Sequence, residues 1–207
     1  MSLTKDTRRP VRIAGASGGF TDRVRAITSL AQDPDIDAIV GDWLSENVMT
    51  GYGAGKVKAL HAREGKVLPR EERIKTAQYA STFLQCFEPS IQHLARNSAK
   101  LVVNAGASDT ELLAEVCKKI VHDAGIHLKV AWVEGDDVTE AFLSLTAQGE
   151  KFPSLIDGKN LTDWGFEPVS AQCYLGSLGI AEALRQGADI VICGRVSDAA
   201  PTVGIAA

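Results

Sequence analysis

Short apolar runs that end in glycine and charge recur along this chain, and they constrain its fold more than any other feature. The last of them, Asp189-Ile190-Val191-Ile192-Cys193-Gly194-Arg195-Val196-Ser197-Asp198, is apolar at every position over a strand's length and then turns to glycine, arginine and aspartate. Val40-Gly41-Asp42, Val102-Val103-Asn104-Ala105-Gly106 and Val130-Ala131-Trp132-Val133-Glu134-Gly135-Asp136-Asp137 repeat the design. A run apolar on both faces belongs inside a parallel sheet, and each parallel strand needs a crossover, usually a helix, to reach the next.

The intervening segments supply most of those crossovers. Residues 11–14 predict a first strand, followed by the loop Gly15-Ala16-Ser17-Gly18-Gly19 and a helix from about Thr21 with Val24, Ile27 and Ala31 on one face. Residues 38–41 predict the second strand. From Trp43 to about Pro69 the periodicity loosens, with Gly51, Gly53, Gly55 and Gly65 among lysines and arginines, which predicts a mobile excursion over the strand ends. A helix is expected after Pro69, with Ile74, Ala77, Ser81, Leu84 and Phe87 on one face, and Pro89 divides it from a second piece ending near Asn97. Residues 100–104 form the third strand. Ser108-Asp109-Thr110-Glu111 has the form of a capping box opening a helix that Gly125 ends. Residues 127–133 give the fourth strand, and Asp137-Val138-Thr139-Glu140 opens an amphipathic helix. Residues 149–169, with Trp164 and Phe166 among glycines and prolines, predict a short hairpin or lid, and a last helix over 170–186 leads to the fifth strand. The expected fold is α/β: a mostly parallel twisted sheet of about five strands with helices on both faces, a three-layer αβα arrangement with Rossmann-like layers, in one domain.

Composition narrows the partners. A chain of 207 residues, 45% of them apolar, buries about 70% of its unfolded surface. Twenty-two lysines and arginines against 26 acidic residues leave a net charge of −4, and the basic cluster Lys5, Arg8, Arg9 is confined to a short leader, so nucleic acid is not an expected partner. No apolar run approaches the roughly 20 residues of a membrane span, and residues 1–10 lack a signal-peptide core. Cys86, Cys117, Cys173 and Cys193 lie far apart without a C-x-x-C pair and read as buried thiols. A reducing cytoplasm is the expected compartment, with no membrane.

In open parallel sheets ligands bind beyond the carboxyl ends of the strands, where all the polar loops fall. Gly15, Ser17, Gly18 and Gly19 either present backbone N–H groups to an anion at a helix N-terminus or serve only a tight turn. Ser17 takes the place of the second glycine of G-x-G-x-x-G, and no G-x-x-x-x-G-K-[ST] occurs. Asn104-Ala105-Gly106 is similar to the N-A-G of short-chain dehydrogenases, but Leu178 stands where the lysine paired with Tyr174 belongs, which rejects that family. Asp42, Glu46, Glu134, Asp136, Asp137 and Asp198 compose a carboxylate set that fits Mg²⁺, with Asp136 and Asp137 as its ligands, or a general base; the alternative at Asp137 and Asp198 is helix capping. Arg195 either pairs with a neighbouring carboxylate or holds an anionic ligand. Ser108 reads as a cap rather than a nucleophile, and His61, His93, His122 and His127 have no ligand spacing.

Six blocks in order also carry a resemblance: Gly15-Ala16-Ser17-Gly18-Gly19-Phe20-Thr21-Asp22-Arg23, Val40-Gly41-Asp42-Trp43-Leu44-Ser45-Glu46, Asn104-Ala105-Gly106, Val133-Glu134-Gly135-Asp136-Asp137, Tyr174-Leu175-Gly176 and Gly194-Arg195-Val196-Ser197-Asp198-Ala199. In these blocks the chain resembles the N-terminal region of acyclic terpene utilisation (AtuA-like) proteins, whose members are usually longer. The resemblance implies a role in catabolism of acyclic terpenes and branched acyl-CoA compounds. Together with the polar rim, it leads to the expectation of an enzyme acting on a CoA thioester or small carboxylate, held by the loop at residues 15–19, Asn104, Gly106 and Arg195, with the carboxylates supplying acid–base or Mg²⁺ chemistry of lyase, hydratase or transferase type. The alternatives are a non-catalytic binding or assembly domain in an acyl-CoA carboxylase-type complex and, third, a nucleotide-dependent oxidoreductase. A homo-oligomer, or contact with a C-terminal region of a longer protein, is the expected assembly.

Overall fold

The computed structural model describes residues 9–17 and 23–207. Five strands, β1 (Ile13–Ser17), β2 (Ala38–Gly41), β3 (Lys100–Val103), β4 (Val130–Val133) and β5 (Ile190–Cys193), form one sheet in the order β1-β2-β3-β5-β4. Every pairing is parallel, as runs apolar on both faces require. The connections hold α1 (Ala26–Ala31), then α2 (Glu46–Ala62), α3 (Arg70–Lys75), α4 (Thr82–Phe87) and α5 (Ile91–Asn97), then α6 (Thr110–Asp123), then α7 (Thr139–Ala147) and α8 (Leu178–Arg185), with α9 (Ala200–Ala206) after β5.

The strand order decides which helix lies on which face. The chain steps from β1 through β2 to β3, passes on to the edge at β4, then turns back to insert β5. Right-handed crossovers put forward and returning connections on opposite faces. Accordingly α1, α4, α5 and α6 build the larger core against Ile39, Leu101, Val103, Ile190 and Ile192, while α8 and α9 pack on the other face against Val102, Val191 and Cys193. The alternation along β3 and β5 is the period of two of a pleated strand. The larger core is anchored by Trp43, edge-on to Phe83 at 5.3 Å, and by Phe83 stacked on Phe87 at 5.3 Å. Each buried aromatic contributes about 1.5–3 kcal/mol by area. Gly41 permits this: a Cβ there would sit 2.2 Å from the Trp43 ring.

Four segments depart from the sequence expectation. Residues 46–62 are helical rather than a loose excursion, because Ser45 Oγ accepts the Val48 N–H at 3.3 Å and Glu46 lies in the first turn, where a carboxylate suits the helix dipole. Residues 70–87 are two helices rather than one. Between them the Gln78 N–H goes to Asp109 Oδ2 at 2.7 Å and the Ala80 N–H to the Ala105 carbonyl at 2.9 Å, bonds that a continuous helix would have kept for itself. The expected capping box at Ser108 is not formed: the cap position of α6 is Asp109, whose carboxylate is turned to Gln78. Residues 170–177 are not helical; isolated bridges join Gln172 to Asp137 and Leu175 to Val196, and α8 begins only at Leu178. Residues 149–169 hold no strand; a 3₁₀ turn at Leu161–Asp163, boxed by Asn160 and Asp163, is their regular element.

Cys86, Cys117 and Cys193 are buried as expected, and Cys173 is half-buried. Among the described residues no helix is long and apolar enough to cross a membrane.

Candidate functional site

The loop after β3 leads to α6 on one face, and the loop after β5 leads to α9 on the other. Between two strands whose loops part in this way lies the crevice where open α/β sheets bind ligands. Its floor is made by close backbone contact. The Gly106 N–H donates to the Cys193 carbonyl at 2.9 Å, and a Cβ on Gly106 would lie 2.7 Å from that oxygen and 2.4 Å from Thr110 Oγ1. Asn104, 1% exposed, accepts the Trp43 N–H at 2.6 Å through Oδ1 and donates through Nδ2 to Asp42 Oδ1, which also accepts the Leu44 N–H at 3.1 Å. Asn104 and Asp42 therefore brace the turn that aims α2, and with it Glu46, at the crevice.

Asp136 ties three loops together. At 4% exposure it accepts the Arg195 N–H at 2.7 Å, stands 3.5 Å from Gln172 Nε2, and takes the Cys173 N–H on its backbone carbonyl at 2.8 Å. Burial pushes its carboxyl above the ordinary value, and the Arg195 N–H works against that rise.

The Arg195 guanidinium, its side chain 6% exposed, lies over the Tyr174 ring at 4.5 Å. It donates from Nη1 to the Val196 carbonyl at 2.7 Å and from Nη2 to Asp198 Oδ1 at 2.9 Å, with Glu46 Oε1 at 3.6 Å. Its buried Nε has no hydrogen-bond partner among the described residues. The Tyr174 hydroxyl donates to Glu46. That bond is the main reason the Glu46 carboxyl lies below the usual range, and it raises the Tyr174 phenol in turn.

Two cavities open here. One of about 460 Å³ is lined by Met49, Trp164, Phe166, Val169, Cys173, Tyr174, Glu46 and Arg195 among others. The other, of about 370 Å³, is lined by Lys56, Arg73, residues 107–112 and residues 134–137. In the second, Lys56 Nζ reaches the Ser108 carbonyl at 2.6 Å, Asp137 Oδ2 at 3.3 Å and Asp109 Oδ1 at 3.9 Å. Asp137 Oδ1 accepts both the Thr139 N–H and hydroxyl just before α7, whose cap position falls to Val138 rather than Asp137; against the effect of burial, these bonds and Lys56 hold its carboxyl low. Glu134 accepts the Trp132 indole N–H at 3.1 Å.

The expected carboxylate rim is thus divided. Glu46 lines the larger cavity and Asp198 sits on its arginine; Glu134, Asp136 and Asp137 line the smaller; Asp42, Asn104 and Gly106 lie beneath as struts. Asp136 and Asp137 serve different partners, and no three His, Cys, Asp or Glu side chains converge among the described residues. The pair does not present the several oxygens that Mg²⁺ requires. Gly15 and Ser17 end β1, where the Ser17 carbonyl accepts the Asp42 N–H at 3.1 Å, while Gly18 and Gly19 lie outside the described residues. Asp198 pairs with Arg195 rather than capping α9. None of the four histidines lines either cavity. Tyr174, Cys173 and Lys56 escaped the sequence reading of the site; the aromatic pair Trp164 and Phe166 in an irregular stretch was the signal for the cavity wall.

Among curated proteins and solved structures none matches this chain. The sequence model of the acyclic terpene utilisation family protein AtuA matches residues 11–207, taking in every loop that builds the crevice. The chain therefore belongs to the acyclic terpene utilisation (AtuA) family, and that membership supports a role in acyclic terpene utilisation.

Proposed function

We propose that this chain is an enzyme, or part of one, acting on a branched acyl compound of the acyclic terpene kind, a CoA thioester or the related carboxylate, in the larger cavity. The observation that carries this reading is that one cavity is lined both by Met49, Trp164, Phe166 and Val169 and by Glu46, Tyr174 and Arg195. Its volume, about 460 Å³, lies in the range of small-molecule sites, which pair an apolar bed with a few placed polar groups.

The polar groups of the wall are equipped to move a proton. When a substrate oxygen gaining charge takes the place of Glu46 as acceptor of the Tyr174 hydroxyl, the phenol can give it that proton, and the Glu46 carboxylate so released can take up the proton that the substrate or water loses. Arg195 over the ring favours negative charge there. Hydration, lyase and acyl-transfer chemistry all need such a step at or next to a thioester carbonyl. Asp136 takes no part in it and positions Arg195 and Cys173 through the backbone.

The test is a thermal-shift titration with geranyl-CoA, 3-methylcrotonyl-CoA, their free acids and free CoA. Ligand at about 100 times Kd adds about 2.7 kcal/mol, a rise of about 5–10 °C for a chain of this size. A shift with a branched acyl compound and none with free CoA supports the reading; no shift with any acyl compound sinks it. With the ligand identified, Tyr174→Phe should lower kcat while leaving binding nearly intact.

A further inference from the structure

The expectation from sequence offers Arg195 to an anionic head group, and its surroundings argue otherwise. A guanidinium grips a carboxylate by presenting two parallel N–H groups. Here Nη1 is turned to the Val196 carbonyl and Nη2 to Asp198 with Glu46 beyond, while one face lies on Tyr174. The remaining Nε is buried and the side chain as a whole is 6% exposed, so the guanidinium offers the cavity little free edge for a paired grip.

The charge of the wall points the same way. Among the described lining residues Arg195 is the cation, and Glu46 and Glu167 are carboxylates. Asp198 brings another carboxylate onto Arg195, and Asp136 stands behind its backbone N–H. A free carboxylate seated beside Tyr174 and Arg195 would meet Glu46, whose side chain is 73% exposed, with no uncommitted cation to offset it. An uncharged oxygen has no such difficulty: Gln172, on the wall, carries an amide with two N–H donors, and the Tyr174 hydroxyl can turn to the oxygen from Glu46 without setting two charges together.

We infer that the larger cavity selects its branched acyl ligand as the uncharged thioester and rejects the free carboxylate, with Glu46 setting that preference. The inference rests on the reading of this cavity as an acyl site and narrows it to one chemical class.

The experiment is calorimetric titration of one branched acyl chain in two forms, the uncharged N-acetylcysteamine thioester and the free acid, against the wild-type chain, Glu46→Gln and Glu167→Gln. The thioester should bind the wild type at least about tenfold more tightly, a modest fraction of what one like charge a few ångströms away imposes before screening. Glu46→Gln should recover about tenfold for the acid and change thioester binding by less than about threefold. Glu167→Gln, also at an exposed residue, should move the ratio in the same direction and covers the case in which the first variant misfolds. Equal or tighter binding of the acid to the wild type overturns the selection while the acyl-site reading stands. A ratio unmoved by either variant overturns the role of charge in it. Failure of both compounds to bind overturns the inference and the acyl site together.

Discussion

Helix α2 carries Glu46 to the cavity, so its presence in solution is the first thing to test, and its glycines provide the means. Gly51 lies inside α2 and is exposed, and a Cβ built there meets nothing within 4 Å. Gly51→Ala therefore changes little except the backbone entropy lost on folding, and should stabilise the chain by about 0.5–1 kcal/mol. For about 200 residues that is a rise in Tm of about 1–4 °C. Gly53, two positions on, is the opposite case: its Cβ would stand 2.4 Å from Ser170 Oγ and 3.1 Å from Ser170 Cβ. Gly53→Ala has the same helical gain, but forcing Ser170 away costs about 1–3 kcal/mol, so the net effect should be a loss. Ser170 belongs to the cavity wall, so ligand binding should weaken as well. Urea and thermal melts followed by circular dichroism read both changes. If Gly51→Ala is neutral or destabilising, or if the two variants behave alike, residues 46–62 do not form this helix and the placement of Glu46 falls with it.

Asp136→Ala strips the buried Arg195 N–H of its acceptor and should cost about 1–3 kcal/mol, whereas Asp136→Asn keeps an acceptor in place and should cost less. Because burial raises the Asp136 carboxyl in the folded state above its ordinary 3.8, its stabilising contribution is full below 3.8 and is lost as pH rises through the folded value. The wild type should thus gain stability relative to Asp136→Asn as pH falls from neutral towards 3.8, and a difference flat in pH would refute this. Thiol labelling of the native chain should modify Cys173 well before Cys117 and Cys193, whose thiols burial pushes far up, and an acyl ligand should protect Cys173; equal rates at Cys117 or Cys193 would contradict the packing.

What was legible in the sequence follows from where each segment finds its hydrogen-bond partners. All four residues of Ile190–Cys193 are buried, and a strand sandwiched in that way must be apolar throughout, so β5 could be read from composition alone. The glycines of α2 could not be read in the same manner. At 53 and 55 they make room for Ser170 and Gln78, so a residue type that locally signals a turn is used for contact, and only Met49 and Gly53 of the helix are buried enough to leave a period. Residues 76–81 and 170–177 were misjudged for a related reason: each has helical spacing, but each gives backbone N–H groups to a loop distant in sequence, the first to residues 105 and 109, the second to residues 136 and 195. The same logic governs the site. Glu46 and Arg195 follow strands and were visible from topology, whereas Tyr174 reaches Glu46 across 128 positions, and only the non-helical path of residues 170–177 brings its ring beneath Arg195. Without that path Tyr174 would not cover Arg195, and one face of the guanidinium would be open to an anion. The non-helical segment is therefore what turns an anion-binding arginine, as the sequence suggested it, into one committed to the protein's own groups.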